Sequence, residues 1–173
     1  MKVTSAASTL PQQKGRCNNM DELIRLQLQK TACRVRMGII EGVYNAKSGH
    51  PGGSLSIADL LTYLYSVMTV DPKNPDMPER DRLVLSKGHT APALYSVLAE
   101  RGFFPKEELK SLRHIGALLQ GHPCIHIPGV DMSSGSLGQG ISAACGMALA
   151  GKTFYSERFL VAFEREIHKN SDK

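Results

Sequence analysis

Three of the six histidines in this sequence directly follow a glycine, and each lies among turn-forming residues: SGHPGGS at 48–54, KGH at 87–89 and QGHP at 120–123. Glycine lets the main chain approach another molecule closely, and proline stiffens the turn that holds it there. An imidazole on so bare a backbone can exchange a proton near neutrality, or hydrogen-bond an anion or a hydroxyl group. Taken singly, each histidine reads first as a residue that hydrogen-bonds its own loop, because short motifs match by chance. Recurrence in three loops points to one shared site.

Two other clusters invite a chemical reading. His122, Cys124 and His126 lie within five residues and are ligand types that zinc accepts. No fourth ligand stands at a familiar spacing, and Pro123 stiffens the segment, so a zinc centre is not the expectation. GSLGQG at 135–140 has glycines in the order G-x-x-G-x-G, not the dinucleotide order G-x-G-x-x-G, and lacks the Lys-Ser/Thr ending of a phosphate-binding P-loop. By itself it is a tight loop feeding a closely packed, alanine-rich helix.

The elements that must position these loops are legible from periodicity. Asn19, with Glu22 three residues on, predicts a capped helix whose stripe is Ile24, Leu28, Ala32, Val35, Ile39 and Val43, fading near Ala46. SGHPGGS is then a loop. Ser56, with Asp59 at the third position, predicts a second capped helix with Ile57, Leu60, Leu61, Leu64, Tyr65 and Met68 inward. DPKNPDMP at 71–78 is an irregular connector. RLVLS at 82–86 is a short buried strand running into KGH, after which Thr90 caps a helix with Leu94, Tyr95 and Leu98 on its inner side. Pro105 starts a short helix through Leu109 and Leu112. The stretch 120–140 is mostly loop. A helix begins near Gly138 and presents Ile141, Ala144, Cys145 and Ala148, and RFLVAF at 158–163 is a further buried strand. Helices alternating with short apolar strands predict an α/β fold with a mainly parallel sheet.

The totals suit one globular domain: 173 residues, 42% hydrophobic and 21% charged, a balance that argues against global disorder. The net charge of +5 would permit polyanion binding. The basic residues are interleaved with acidic ones, as in PERDR at 78–82, so a solvated surface and no nucleic-acid partner is expected. Four cysteines at 17, 33, 124 and 145 form no CxxC pair. With no apolar leader and no run long enough to cross a bilayer, the expectation is a cytoplasmic protein with free thiols and no membrane partner.

Together, SGHPGGSLSIADLLTYLY, DRLVLSKGHTAPALYSVLAERG, QGHP and GSLGQGISAACGMALAGK resemble the N-terminal part of transketolases, most closely the form made as two separate chains, over about residues 20–152. The resemblance implies a doubly wound α/β thiamine diphosphate-binding fold, preceded by a loose 1–18 extension and occupying 19–173. It implies that His89 contacts the cofactor diphosphate and that Gly135, Ser136 and Leu137 line the cofactor near its aminopyrimidine. It implies that His50 and His122 face the sugar, in a reaction that moves a two-carbon ketol unit from a ketose phosphate to an aldose phosphate. The partner implied is a transketolase C-terminal subunit or domain, in a homo- or hetero-oligomer.

The likeness weakens after Lys152. The family pattern there runs into GDG, with an asparagine about thirty residues later, as ligands for the magnesium ion that holds the diphosphate. This sequence instead reads TFYSERFLVAFEREIHKNSDK. A hard divalent ion needs several placed oxygens, so no complete magnesium site is expected, along with a solvated tail, a fold incomplete at its C-terminal side and a chain inactive alone. Two alternatives stay open: a non-catalytic truncated remnant that binds or regulates a transketolase subunit, and part of another thiamine-dependent sugar enzyme of the deoxyxylulose-phosphate synthase type. KGHTAPALY fits transketolase better than the latter.

Overall fold

The structure, a computed structural model, describes residues 22–154 and the strand at 161–164. In chain order the elements are α1 (Glu22–Ala46), α2 (Pro51–Leu55), α3 (Ala58–Val67), β1 (Arg82–Leu85), α4 (Ala91–Arg101), α5 (Gln139–Phe154) and β2 (Val161–Glu164), with single 3-10 segments at Gly88–Thr90 and Lys106–Ser111. The two strands pair in parallel, Leu83 opposite Ala162. Parallel pairing needs a long crossover, here the whole stretch that contains α4 and α5. The described residues are otherwise mostly helical.

The core forms where α1, α3 and α4 meet behind β1. Val35 and Ile39 of α1, Leu61 and Tyr65 of α3, and Leu94 and Leu98 of α4 are all essentially out of water. Burying each such side chain stabilises the fold by about 1.5–3 kcal/mol before entropy is counted. The Ser96 hydroxyl donates to the Val35 carbonyl at 2.8 Å, and a Cβ placed on Gly38 would lie 2.3 Å from that same hydroxyl. Only glycine at 38 therefore lets α1 and α4 cross so closely.

Several local expectations need correction. The six residues expected on the α1 stripe divide: Ala32, Val35 and Ile39 are buried, Leu28 and Val43 half-buried, and Ile24 exposed. The Asn19 cap lies outside the described residues. SGHPGGS is not all loop, because Pro51–Leu55 is a short helix with proline in its first turn, where a missing N–H costs nothing. Ile57, not Ser56, stands at the N-cap of α3, while the Ser56 hydroxyl donates to the Gly53 carbonyl at 2.8 Å. Thr90 precedes α4 but donates to the Lys87 carbonyl instead of capping. Leu94, Tyr95 and Leu98 do not mark one inner face, since α4 is buried on every side from Ala91 to Ala99. On α5 Ala144 is buried, but Cys145 and Ala148 are exposed. The second strand is described from Val161; residues 158–160 and the charged tail beyond Glu164 lie outside the described residues.

Among the described residues, what lines the edge of β1 away from β2 is a loop. Asp131 accepts the Leu83 N–H at 2.7 Å, and the Ser134 hydroxyl donates to the Leu85 carbonyl at 2.7 Å. Residues two apart in a strand present their peptide groups to the same edge, so the 131–134 segment lies along it. The Asp131 carboxylate also pairs with the buried Arg80 and lies 3.5 Å from Arg82.

Candidate functional site

The carboxyl end of β1 opens into the first of the three histidine loops. A 3-10 turn at Gly88–Thr90 follows the strand and carries His89, half-buried. Gly88 has no room for a side chain: a Cβ there would lie 2.7 Å from the Ser134 carbonyl oxygen. The loop after β1 and the loop before α5 thus touch backbone to backbone at this glycine.

His50 approaches from the other side. The chain leaves α1 through Lys47 at φ +51° and Gly49 at φ +146°, the latter open only to glycine, and His50 stands at the start of α2. Its ring meets that of His89 edge-to-face, with centroids 4.9 Å apart and planes 71° from parallel. The two loops are tied by Lys87, whose ammonium donates to the Gly53 carbonyl at 3.1 Å and the Ser56 hydroxyl at 3.2 Å while only 2% of the residue is exposed. A buried lysine reaching two oxygens of the neighbouring loop is a clamp. Sequence reasoning missed Lys87; its only signal is a long cation placed between an apolar strand and a glycine.

His122 completes the cluster from the long loop. Its carbonyl accepts the Tyr95 hydroxyl at 2.8 Å, and burial pushes the Tyr95 phenol far above its ordinary range, so the tyrosine stays a donor. Withdrawal from water, then the Arg113 guanidinium, then the imidazoles of His89 and His50 hold the His122 pKa below the ordinary histidine value. Through the contact of Gly135 with His122 and that of Gly88 with Ser134, the 120–123 loop reaches the loop that carries His89. Gly135 lies over His122, where an added Cβ would be 3.7 Å from ring carbon Cδ2 and 3.9 Å from Cγ.

Beside it is a pocket of about 350 Å³ lined by residues 132–136 with Gln139 and Gly140. Gly135 and Ser136 line this pocket; Leu137 does not and is 52% exposed. Among the described residues no three His, Cys, Asp or Glu side chains gather as a metal ion would require, His122, Cys124 and His126 included. Cys33, Cys124 and Cys145 are free thiols; Cys17 lies outside the described residues.

The residues present fit a thiamine diphosphate. The peptide at Gly135 is bare apart from one imidazole and borders open volume, which suits the face of a flat ring. A half-exposed imidazole at the carboxyl end of a strand is a donor suited to a phosphate oxygen.

The chain matches the family model described as transketolase, thiamine diphosphate binding domain, over residues 28–168. It is 51% identical over 128 residues to the 6-deoxy-6-sulfo-D-fructose transketolase subunit SqwG of a Clostridium species, covering 73% of this chain and 46% of that protein. It is 44% identical over 132 residues to an apulose-4-phosphate transketolase subunit of Phocaeicola vulgatus, covering 76% of this chain and 46% of that one. Its fold is similar to that of the Pichia stipitis transketolase solved with sedoheptulose 7-phosphate, with a TM-score of 0.75 and 34% identity over 79% of this chain and 22% of that one. The chain thus spans about half the length of the two bacterial relatives.

Proposed function

Because the chain belongs to the transketolase family, within its thiamine diphosphate-binding domain, we propose that it contributes cofactor- and sugar-binding residues to two-carbon ketol transfer between a ketose phosphate and an aldose phosphate. The observation that carries this reading is the meeting of His50 with His89 at 4.9 Å, on a turn whose Gly88 abuts the Ser134–Gly135 loop that in turn touches His122.

His89 holds the cofactor diphosphate, and Gly135 and Ser136 present backbone to the aminopyrimidine, with Leu137 next to them in the chain but outside the pocket. Bound thiamine diphosphate supplies the nucleophilic carbon and the electron sink. His50 and His122 hydrogen-bond the hydroxyl groups at the reacting end of the sugar. The lowered pKa of His122 leaves it neutral at neutral pH, able to donate through one ring nitrogen and accept through the other. Tyr95 and Lys87 orient the loops from behind, through a carbonyl and a loop clamp.

The second half of the site, including the glutamate that activates the aminopyrimidine, comes from another domain, and the GDG magnesium ligands of the family are not among these residues. The reading therefore includes, as partner, the C-terminal half of a split transketolase, together with an oligomeric assembly and no turnover by this chain alone. Two relatives described as transketolase subunits support this. The parallel β1–β2 pair supports a mainly parallel sheet, and a doubly wound fold goes with this reading. A cytoplasmic place in pentose phosphate metabolism goes with this reading.

Calorimetry tests it: thiamine diphosphate is titrated with magnesium into the chain alone and into its mixture with a transketolase C-terminal subunit. Binding in the mixture, lost in His89→Ala, is expected. No binding by a folded sample in either case overturns the reading.

A further inference from the structure

Among the described residues, Arg113 is one of two non-glycine residues with positive φ, at +63°. A left-handed residue with a Cβ is strained, and such strain persists only where surrounding structure imposes it. Here the preceding Leu112 is buried, and the Arg113 N–H donates to the Leu119 carbonyl at 2.8 Å, closing the 113–119 loop. The turn sends the Arg113 side chain back to Gly121. A Cβ on Gly121 would lie 3.2 Å from each of Cζ, Nε and Nη2 of that arginine. Equal distances to three guanidinium atoms mean that Gly121 rests on the flat face of the group, so any larger residue there would displace it.

We propose that Arg113 is a positioning residue for His122: its guanidinium, stacked on the Gly121 peptide, fixes the turn that presents the imidazole and sets a permanent positive charge beside it. This rests on the reading of His122 as a sugar-facing residue. The charged groups that act on His122 are Arg113 from the preceding loop, His89 from the turn after β1 and His50 from the start of α2. Of these only arginine is charged at every working pH. It therefore disfavours the imidazolium continuously, whereas the other two imidazoles do so only when protonated.

The experiment is an NMR titration of the His122 imidazole in the full chain without ligand, for the unmodified protein, Arg113→Gln and Arg113→Lys. The expected result is an upward shift of the His122 titration in Arg113→Gln and its return towards the unmodified position in Arg113→Lys. A folded Arg113→Gln protein whose His122 titrates unchanged overturns the proposal. If Arg113→Gln does not fold, the unmodified protein decides: the exposed guanidinium is screened by salt, so raising ionic strength must move the His122 titration upward, and an unmoved one overturns the proposal. A merely structural arginine would leave the Arg113→Lys titration displaced like that of Arg113→Gln, because charge alone would not restore it. Because these titrations need no cofactor, they are independent of the calorimetry, so a failure of the family reading and a failure of the Arg113 role are seen separately.

Discussion

At Gly88 a single hydrogen separates two loops that both carry site residues. Alanine there would place a methyl 2.7 Å from the Ser134 carbonyl, a backbone atom that cannot rotate aside. We expect Gly88→Ala to cost about 1–3 kcal/mol, as overpacking does, with a lower melting temperature and weaker thiamine diphosphate binding; an unchanged melt would mean that the loops do not touch. The three Gly-His pairs were legible in sequence as recurring chemistry, but not why each glycine is there. Gly49 supplies a backbone angle, Gly88 a close approach to backbone and Gly121 a seat for a guanidinium. These are three different steric demands written with one letter. Lys87, Tyr95 and Arg113 escaped sequence reasoning because their parts depend on partners 27–34 positions away, for the first two, or on a backbone angle, for the third, and no local pattern encodes either.

Among the elements, α4 shows most plainly where periodicity fails. Its stripe predicts one inner side, yet α1, α3 and the 106–111 segment all pack on it, so every residue from Ala91 to Ala99 is buried. Small residues at 91, 93, 96 and 99 make that possible, and they were the signal to read. At its far end Glu100 bonds Arg34 of α1 at 2.8 Å and also Lys106. Burial raises the Glu100 pKa, but the bonds to Lys106 and Arg34 outweigh it, and the net pKa lies below its ordinary 4.5. A carboxylate depressed in the folded state adds stability above its unfolded pKa and loses it as pH falls through the folded value. Both cationic partners are half-exposed, so Glu100→Gln should cost only about 0.5–1 kcal/mol at neutral pH. Urea unfolding should show that difference vanish in acid; a difference independent of pH would count against the ion pairs.

For the molecule as a whole, the site depends on how one strand is held. The α/β character and the strand itself were legible from RLVLS. The segment that runs beside it was not, because residues 120–134 carry no periodicity and their anchors are side chains reaching peptide groups. Asp131 is the principal anchor, 3% exposed at its side chain and paired with an Arg80 that is 9% exposed. Asp131→Asn keeps the shape but strands that guanidinium, and removing one partner of a buried pair costs about 3–5 kcal/mol. Equilibrium unfolding should register the full loss, whereas a change below about 1 kcal/mol would mean that water reaches Arg80. The same contacts bear on solubility. An open strand edge with unpaired N–H and C=O groups is a template for intermolecular strand addition, and proteins blunt such edges with charge. By occupying the Leu83 N–H with a carboxylate and the Leu85 carbonyl with a hydroxyl, the 131–134 segment takes two of the groups that a second molecule would extend, so the loop that frames the site also blunts β1 against strand addition.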